Sequence, residues 1–347
     1  MITAQAQTDK ILSDIEKRIR KEYAQAAKET SAKLDDYFRR FETKDRIKRD
    51  QLKRGVITRT EYQQWRTNQM LIGERWTEMR ETLADDLSHS DRIAHSVVEG
   101  YMPEVYALNH DFATYEVEKA ARIDTSYILY NRQAVERVIR ENPKMLPSPG
   151  KVTAEKIAHG QLQAWNEQRI QSVMIQGILQ GESIPQLSKR MFKVTGGNYK
   201  DAIRNARTMT TGAENAGHAD AYERARNIGI ELEEQWVATL DSRTRDSHRT
   251  LDGEIKGEDG YFSNGLRYPG DPYGDPSEVY NCRCRLNANV KGFRRDMSDL
   301  SKRHSEKLGD MSYEEWKKGH GTSQSITHQE EIASGMKWRY INEDYRR

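Results

Sequence analysis

The sequence predicts an α+β fold in which elongated, mostly α-helical N-terminal and central regions precede a small β-containing module at about residues 231–292. Three observations predict it. Apolar residues recur every four positions along residues 8–42, as at Ile11, Ile15 and Ile19. From Glu231 the pattern changes to β-type runs separated by turns rich in Gly and Pro. The 32% of charged residues and the mean hydropathy of -0.95 indicate small, separate cores.

The N-terminal region, residues 1–150, is predicted to be helical. The apolar stripe over residues 8–42 predicts one long amphipathic helix, and Gly55 interrupts the pattern. Thr58 and Glu61 match the capping box that begins a helix, and a second helix is predicted from there through Leu87. Over residues 97–142, aromatic residues alternate irregularly with Gly and Pro, which predicts short helices joined by turns and a linker near residue 150. His110 is interpreted as a core or interface residue.

Residues 151–230 are predicted to form a second helical region. One helix ends at Gly181, and Ser183 with Gln186 then forms a capping box that has Pro185 in its first turn. A further helix is predicted over residues 199–229. It is rich in alanine, and small residues allow helices to pack closely together.

The β-containing module is predicted at residues 231–295, followed by a polar helical tail at residues 296–347. The run IELEEQWVATL at residues 230–240 predicts a strand, and DSRTRDSHRTLDG predicts a short capped helix. The following residues predict strands and turns. In the tail, Ser312 and Glu315 form another capping box. His304, His320 and His328 are scattered there without a pattern of partner carboxylates, so no activity is assigned to the tail.

Both cysteines of the chain, Cys282 and Cys284, lie in the run NCRCRL. A disulfide between them would be strained, because residues two apart on an extended strand are near the upper limit of separation for a bridge. One close pair in a chain of this length is typical of a reducing compartment. Alternate residues of a strand point to one face, so the two sulfurs would form half of a tetrahedral metal site.

Zinc is the predicted cofactor, because thiolate and imidazole ligands suit this ion. The predicted ligands are Cys282, Cys284, His248 and Asp241, and Asp246 or Asp252 could substitute for Asp241. Asp241 and His248 are two helical turns apart and would share a face if the helix were continuous. A closed site would replace the core that so small a module lacks, whereas a site open to water would allow hydrolysis. Two other interpretations stay open: Asp241 caps a helix, and the thiols are small buried hydrophobes.

Charge and hydropathy limit the class of protein. The net charge is +2, so affinity for nucleic acid does not follow from the total, although the basic run RIKRDQLKRG at residues 46–55 could contact phosphates. The interpretation as a solvated helix face is favoured for this run. No segment approaches the roughly 20 apolar residues of a membrane span, and no signal peptide is apparent at the N-terminus.

Several ordered runs between about residues 160 and 290 resemble the phage Mu F-like family of head morphogenesis proteins. They include IQGILQGESIPQLSKRM, NARTMTTGAENAGHADAY, QWVATLDSRTRDSHRTLDGEI, YPGDP and VYNCRCRL. The family's characteristic positions correspond to Arg207, Thr208, Asp241, Arg243, Thr244, Arg245, His248, Asp252, Gly253, Asn281, Cys282, Arg283 and Cys284.

The resemblance implies a minor head protein, a structural and non-enzymatic component of the procapsid and virion of a double-stranded DNA phage. It implies assembly in the host cytoplasm and a place inside the capsid or at the portal vertex. The implied partners are the portal protein, major capsid or scaffold proteins and double-stranded DNA, with no membrane. The N-terminal helices are expected to dock on the portal by this analogy.

Two other functions are carried as alternatives. The first is a metal-dependent nuclease or hydrolase in which His248 acts as base or metal ligand. In it Arg243, Arg245 and Arg283 bind phosphate, since the guanidinium fork suits this anion. The second is a DNA-binding accessory protein that leaves the head with the genome. Its affinity for duplex DNA would depend steeply on salt.

Overall fold

A computed structural model of the chain describes residues 4–125, 127, 129, 135, 160–293 and 306–320. The long helices are α1 (Ala4–Lys53), α2 (Arg59–Met70), α3 (Glu74–Ala121), α4 (Gln161–Leu179) and α5 (Ile184–Asn227). Short helices follow as α6 (Asp246–Thr250), α7 (Pro276–Val279), α8 (Glu306–Asp310) and α9 (Tyr313–Gly319). Two strands, β1 (Ile230–Val237) and β2 (Arg285–Phe293), pair antiparallel. This confirms the predicted mostly α-helical α+β fold.

Two of the predicted capping boxes form in full, and the one at Ser183 forms in part. At α2, Glu61 N–H donates to Thr58 Oγ1 at 3.2 Å, and Thr58 N–H donates to the Glu61 carboxylate at 2.8 Å. The same reciprocal pair of bonds begins α9 at Ser312. At the start of α5, Ser183 N–H donates to Gln186 Oε1 at 2.7 Å. These local patterns therefore determine where the helices begin.

Three helix boundaries differ from the sequence-based prediction. The second predicted helix is divided at Gly73, which has a left-handed φ of 107° and separates α2 from α3. The prediction of short helices over residues 97–142 is wrong up to residue 121, because α3 is continuous through Pro103. The two helices expected over residues 183–229 form one, α5. In α3 the cost of an internal proline, about 3 kcal/mol, is outweighed by burial of side chains such as Met102 and Val105.

The chain forms two compact units of interleaved segments. The helical unit comprises residues 14–97 and 150–204, and the sheet unit comprises residues 1–13, 98–149 and 205–347. The predicted domain boundaries near residues 150 and 295 lie outside the described residues, and the one at 230 coincides with the first residue of β1.

The helical unit has an apolar core and a buried polar network. The core combines aromatic, leucine and methionine side chains, among them Phe38, Trp76 and Met174. In the network, the Asp91 carboxylate accepts hydrogen bonds from Tyr23 and from Asn198 Nδ2, the latter at 2.9 Å. Its members are buried and bonded, so they add specificity to the packing of these helices.

The sheet unit is built around the two-stranded sheet. Ile230 pairs with Phe293 and Val237 pairs with Arg285, with a register irregularity between Glu231 and Leu232. Its core joins module residues, including Trp236, Phe262 and Leu286, to residues of α3 and α5. The expectation that the module lacks a core is therefore wrong, since α3 and α5 complete one.

His110 and the described part of the tail also belong to the sheet unit. His110 is fully buried, with Nδ1 2.8 Å from Tyr127 Oη, which agrees with its interpretation as a core residue. Trp316 of α9 is fully buried and donates from Nε1 to Glu118 at 2.6 Å.

None of the helices among the described residues combines the length and the apolar character that a membrane crossing needs.

Candidate metal centre

Cys282 and Cys284 lie on an extended segment that leads into β2. The chain enters this segment through Asn281, whose φ of 55° is left-handed, a conformation that asparagine tolerates better than most residues. Both thiols are free and buried. Both sulfurs lie close to His248, whereas the side chain of Arg283 between them pairs with Asp241. The alternation expected of an extended segment is therefore present.

A row of buried polar side chains on α5 holds this segment in place. The row consists of Thr208, Thr211, Asn215 and His218, which share one face of the helix. Thr211 Oγ1 donates to the Cys282 carbonyl at 2.8 Å, and Asn215 Nδ2 donates to the Cys284 carbonyl at 3.1 Å. The polar row therefore fixes the backbone on which the two sulfurs are carried.

The same row continues on both sides of the cysteines. Asn281 N–H donates to Thr208 Oγ1 at 3.0 Å, and Leu286 N–H donates to Asn215 Oδ1 at 2.8 Å. His218 Nδ1 lies 2.8 Å from the Leu286 carbonyl oxygen. Burial lowers the pKa of His218 to about 3, with the nearby Arg285 acting in the same direction. The imidazole is therefore neutral and donates to that carbonyl.

His248 completes a triad with the two cysteines. It lies on α6, is buried, and packs edge-on against the Trp236 ring at 5.2 Å between centroids. Its Nδ1 atom is 3.7 Å from Cys282 Sγ and 3.4 Å from Cys284 Sγ. The structure thus brings together three of the four predicted ligands, and each can offer an atom to one ion.

These separations fit a tetrahedral ion. Zn–S bonds of about 2.3 Å and a Zn–N bond of about 2.0–2.1 Å, at a tetrahedral angle, place nitrogen and sulfur about 3.6 Å apart. The two observed distances of 3.7 and 3.4 Å lie on either side of this value. The donor set of two sulfurs and one imidazole is also one that zinc prefers.

Glu278 orients the histidine from its other side. Its Oε2 atom lies 2.9 Å from His248 Nε2, and with an ion bound the imidazole would carry its proton on Nε2 and offer Nδ1 as the ligand. A carboxylate in this place is the usual outer partner of a metal-bound histidine. Glu278 was not predicted to belong to the site, although it lies four residues before Cys282 in EVYNCRC.

The electrostatics of the thiol pair favour a bound cation. A hydrogen bond from the Cys282 thiol, helped by His248, lowers the pKa of Cys284. The same bond and burial raise the pKa of Cys282. One thiolate therefore forms readily and the second does not, unless a positive ion neutralises the pair. The Cys284 N–H lies 3.5 Å from Cys282 Sγ and adds a weak stabilising contact to that sulfur.

Asp241 does not join this group, because the structure commits its carboxylate elsewhere. Arg283 binds it through two hydrogen bonds of 2.5 and 2.6 Å, and Arg243 N–H donates to Oδ1 at 2.8 Å. The Arg283 guanidinium holds the pKa of this carboxyl well below its usual range. Asp241 thus closes a turn ahead of α6, which begins only at Asp246, so the continuous helix from Asp241 to His248 does not form.

The two substitute carboxylates also lie outside the triad. Asp252 Oδ1 accepts from Ala238 N–H at 2.9 Å and thereby ties the end of β1 to the turn after α6. Asp246 is exposed, with Arg249 3.8 Å away. Among the described residues, the group around His248 therefore contains three metal-binding side chains.

A second acidic group contains His320 of the tail. His320 Nε2 lies 3.7 Å from Glu118 and 3.9 Å from Asp124, so this histidine has carboxylate neighbours that the sequence separation concealed. The Glu118 carboxylate already accepts from Trp316 and from Thr125 N–H. The group is thus explained by the packing of α9. His304 and His328 lie outside the described residues.

Comparison with known proteins identifies the region that carries the triad. The phage Mu protein F like family matches residues 168–287, which include α5, β1, His248 and both cysteines. The chain therefore carries a phage Mu F-like region. The predicted resemblance is thereby confirmed, and the Mu F-like region ends within β2, just beyond the metal-binding candidates.

Two relatives show how far the similarity extends beyond the Mu F-like region. Minor head protein GP7 of Bacillus phage SPP1 is 24% identical over 319 residues, which cover 89% of this chain and 94% of that protein. The NAD(+)–arginine ADP-ribosyltransferase EFV of Enterococcus faecalis is 27% identical over 226 residues, 63% of this chain. The chain spans 44% of the length of EFV. No solved structure matches the chain.

Of these proteins, GP7 is matched over nearly its whole length and is named as a minor head protein. These similarities do not favour the alternative of a metal-dependent nuclease or hydrolase. The transferase activity in the name of EFV belongs to that protein, of which less than half is matched.

Proposed function

We propose that this protein is built into the phage head as a minor component that docks on the portal and carries a zinc-stabilised Mu F-like region. One observation supports the head role above the others: the similarity to a minor head protein runs through nearly the whole of both chains. Contacts with the portal, duplex DNA and zinc each have a separate test, and contacts with major capsid or scaffold proteins are a further part of the proposal.

Exposed apolar side chains support docking through the helical unit. Six of the nine large apolar side chains that are exposed among the described residues belong to that unit: Ile47, Val56, Ile72, Ile175, Leu179 and Phe192. Contiguous apolar surface is typical of sites that another protein covers, and Ile175 and Leu179 lie one turn apart on the same face of α4. We therefore assign portal binding to the helical unit rather than to the sheet unit.

Capture on purified portal rings tests this assignment. Leu179→Asp and Ile72→Asp place a charge in the proposed interface and should weaken capture by roughly tenfold or more. Leu240→Asp is the matched control, because Leu240 is as exposed but lies in the sheet unit. Equal loss of capture in all three variants, or in the control alone, would contradict docking through the helical unit.

Duplex DNA is a second proposed partner. Lys44, Arg46, Lys53 and Arg54 are exposed near the end of α1, where they could contact phosphates. Affinity for duplex DNA should fall steeply with salt, with a slope of about -0.9 per phosphate contact. Replacing Lys44 and Arg46 by Gln should reduce this slope. An affinity that does not respond to salt would rule out this contact.

Zinc content tests the metal centre directly. Protein purified under reducing conditions should contain one zinc per chain, and His248→Gln should lose it because the imidazole is a ligand. His89→Gln removes an exposed histidine of the helical unit and should keep the zinc. Stoichiometric zinc in His248→Gln, or no zinc in the wild-type protein, contradicts the proposal.

A further inference from the structure

A cavity of about 220 Å³ borders the triad. All three members of the triad, His248, Cys282 and Cys284, line it. Its remaining wall is polar and is formed by Thr239, Arg243, Thr244, Arg245, Asn281 and Arg283. An ion held by the triad would therefore face this cavity, which has room for about seven water molecules at ~30 Å³ each.

The wall carries more positive than negative charge. Arg283 and Arg243 share one carboxylate, that of Asp241, which lies 2.5 Å from Arg283 and 3.6 Å from Arg243. Arg245 is bound by carbonyl oxygens, those of Tyr280 and Glu278, which do not cancel its charge. Three guanidinium groups thus accompany two carboxylates, that of Asp241 and that of Glu278 on the far side of His248, and the Arg243 side chain is 72% exposed.

The protein supplies three ligands where a tetrahedral ion takes four. The Asp241 carboxylate is held by Arg283, and no other carboxylate, histidine or cysteine of the described residues joins the triad's group. A zinc ion with three protein ligands binds a further small ligand at its fourth position. Two thiolates cancel the charge of the ion, so the arginines decide the sign of the ligand that the cavity attracts.

We propose that the fourth ligand is a small oxyanion, a carboxylate or a phosphate, which enters the cavity, coordinates the ion through one oxygen and pairs its other oxygens with Arg243 and Arg245. The guanidinium fork matches both anions. The cavity is smaller than the roughly 300–1,000 Å³ of pockets for larger ligands, which restricts it to a small anion or a single side chain. This inference rests on the zinc site of the proposed function and makes that site a binding site as well as a structural one.

Cobalt substitution gives a readout of the fourth position. The full-length protein is loaded with Co²⁺, whose visible spectrum reports its ligands, and is titrated with sodium phosphate and, separately, with sodium acetate. At least one anion should shift the spectrum in a saturable way. The anion that binds with the higher affinity shows whether phosphate or carboxylate is the preferred class. If the protein binds one Co²⁺ per chain and neither anion changes the spectrum, the inference is overturned.

Two variants assign the anion to the arginine wall. Arg243→Ala removes one charged donor and should weaken anion binding about tenfold, the loss expected for one charge-assisted hydrogen bond. Lys291→Ala removes an equal charge outside the cavity, where Lys291 pairs with Glu233, and should leave anion binding unchanged. Equal weakening in both variants would show a general effect of charge and overturn the assignment.

The identity of the ligands separates this inference from the zinc proposal. X-ray absorption of the zinc protein in phosphate should fit two sulfurs, one imidazole and one oxygen, with phosphorus beyond that oxygen if phosphate binds. Asp241→Asn should keep its metal and its response to anions. Absence of metal from the wild-type protein defeats the zinc site itself. Bound metal with a second imidazole, or metal lost from Asp241→Asn while the helices stay folded by circular dichroism, defeats only the open position.

Discussion

The helical unit and the cysteine-bearing part of the sheet unit are held together by different means. In the helical unit, backbone groups are satisfied within long helices, and side chains such as Phe38 and Trp76 are left to fill an apolar core. Residues 238–284 contain only two short helices, so their backbone groups need other partners. Many of these partners are side chains, including those of Thr211, Asn215 and Asp252.

This difference indicates where an ion would matter. In the helical unit the apolar packing is spread over many side chains. The cysteine segment depends on a few specific contacts near His248, and there a bound ion would add a large, localised stabilisation. Since the module also shares a core with α3 and α5, removing zinc should loosen the segment around the cysteines rather than unfold the whole unit.

The largest expected effect comes from deleting one tryptophan in each unit. Trp236→Ala removes a fully buried ring that packs on His248 and Phe262, and should cost about 3–5 kcal/mol. Native-state hydrogen exchange should show lost protection in β1 and β2, with α1 residues of the helical unit preserved. Trp76→Ala should do the reverse. Loss of protection in both units with either variant would contradict their separate stability.

The two units should also respond to acid with opposite sign. His218 has a pKa of about 3 in the folded sheet unit against about 6.5 when unfolded, so its contribution is complete above pH 6.5 and is lost as pH falls toward 3, about 3 kcal/mol by pH 4. In the helical unit, burial raises the pKa of Asp91, so its contribution is greatest below its unfolded value near 3.9 and declines as pH rises.

Hydrogen exchange as a function of pH measures this contrast. After correction for the intrinsic exchange rates, β2 should lose stability between pH 6.5 and 4, and His218→Asn should flatten that loss. Asp91→Asn should leave the response of β2 unchanged and alter only that of the helical unit. The same pH dependence of β2 in wild type and His218→Asn would remove His218 as its cause.

Glu278 gives a smaller effect that is confined to the metal centre. Glu278→Gln keeps the shape of the side chain but removes the charge that orients His248, and should lower zinc affinity by roughly 10- to 100-fold. Competition with a chromophoric chelator measures this affinity. Glu258→Gln, an exposed change in the same module, is the control and should bind zinc like the wild type. Unchanged affinity in Glu278→Gln would mean that the carboxylate serves only packing.

The smallest effect concerns a helix start in the helical unit. Thr58→Ala removes the side chain that accepts from Glu61 N–H and should destabilise α2 by about 1 kcal/mol. Thr58→Ser keeps the acceptor and should be close to neutral. Chemical denaturation followed at Trp65 of α2 distinguishes the two, and equal stability of Thr58→Ala and wild type would show that α2 is held by its tertiary contacts alone.

Local patterns in the sequence predicted much of the fold. Capping boxes at Thr58 and Ser312 and the β-type run after residue 229 appear where expected, because each depends on residues within a few positions of one another. The continuity of α3 through Pro103 was not predictable in this way. It depends on burial against partners distant in sequence, which outweighs the local cost of the proline.

The candidate metal centre was predictable to a similar degree. The spacing of Cys282 and Cys284 and the nearby His248 indicated a common site, because the chemistry of these residue types is specific. The role of Asp241 was not predictable, because it depends on the conformation of residues 241–245. There Asp241 pairs with Arg283 and forms a turn. The support from Asn215 and its neighbours was hidden, since a polar row on a helix does not reveal which segment it contacts.

That polar row sets a condition on chain length. From Thr208 to His218 the helix advances about 15 Å at 1.5 Å per residue, while from Asn281 to Leu286 extended chain advances about 16 Å at 3.3 Å per residue. The helix and the extended segment therefore have nearly the same length over this interval. One inserted or deleted residue within the helix would turn every later side chain by about 100° and end the match, so the hydrogen bonds depend on the number of residues in this stretch as well as on their types.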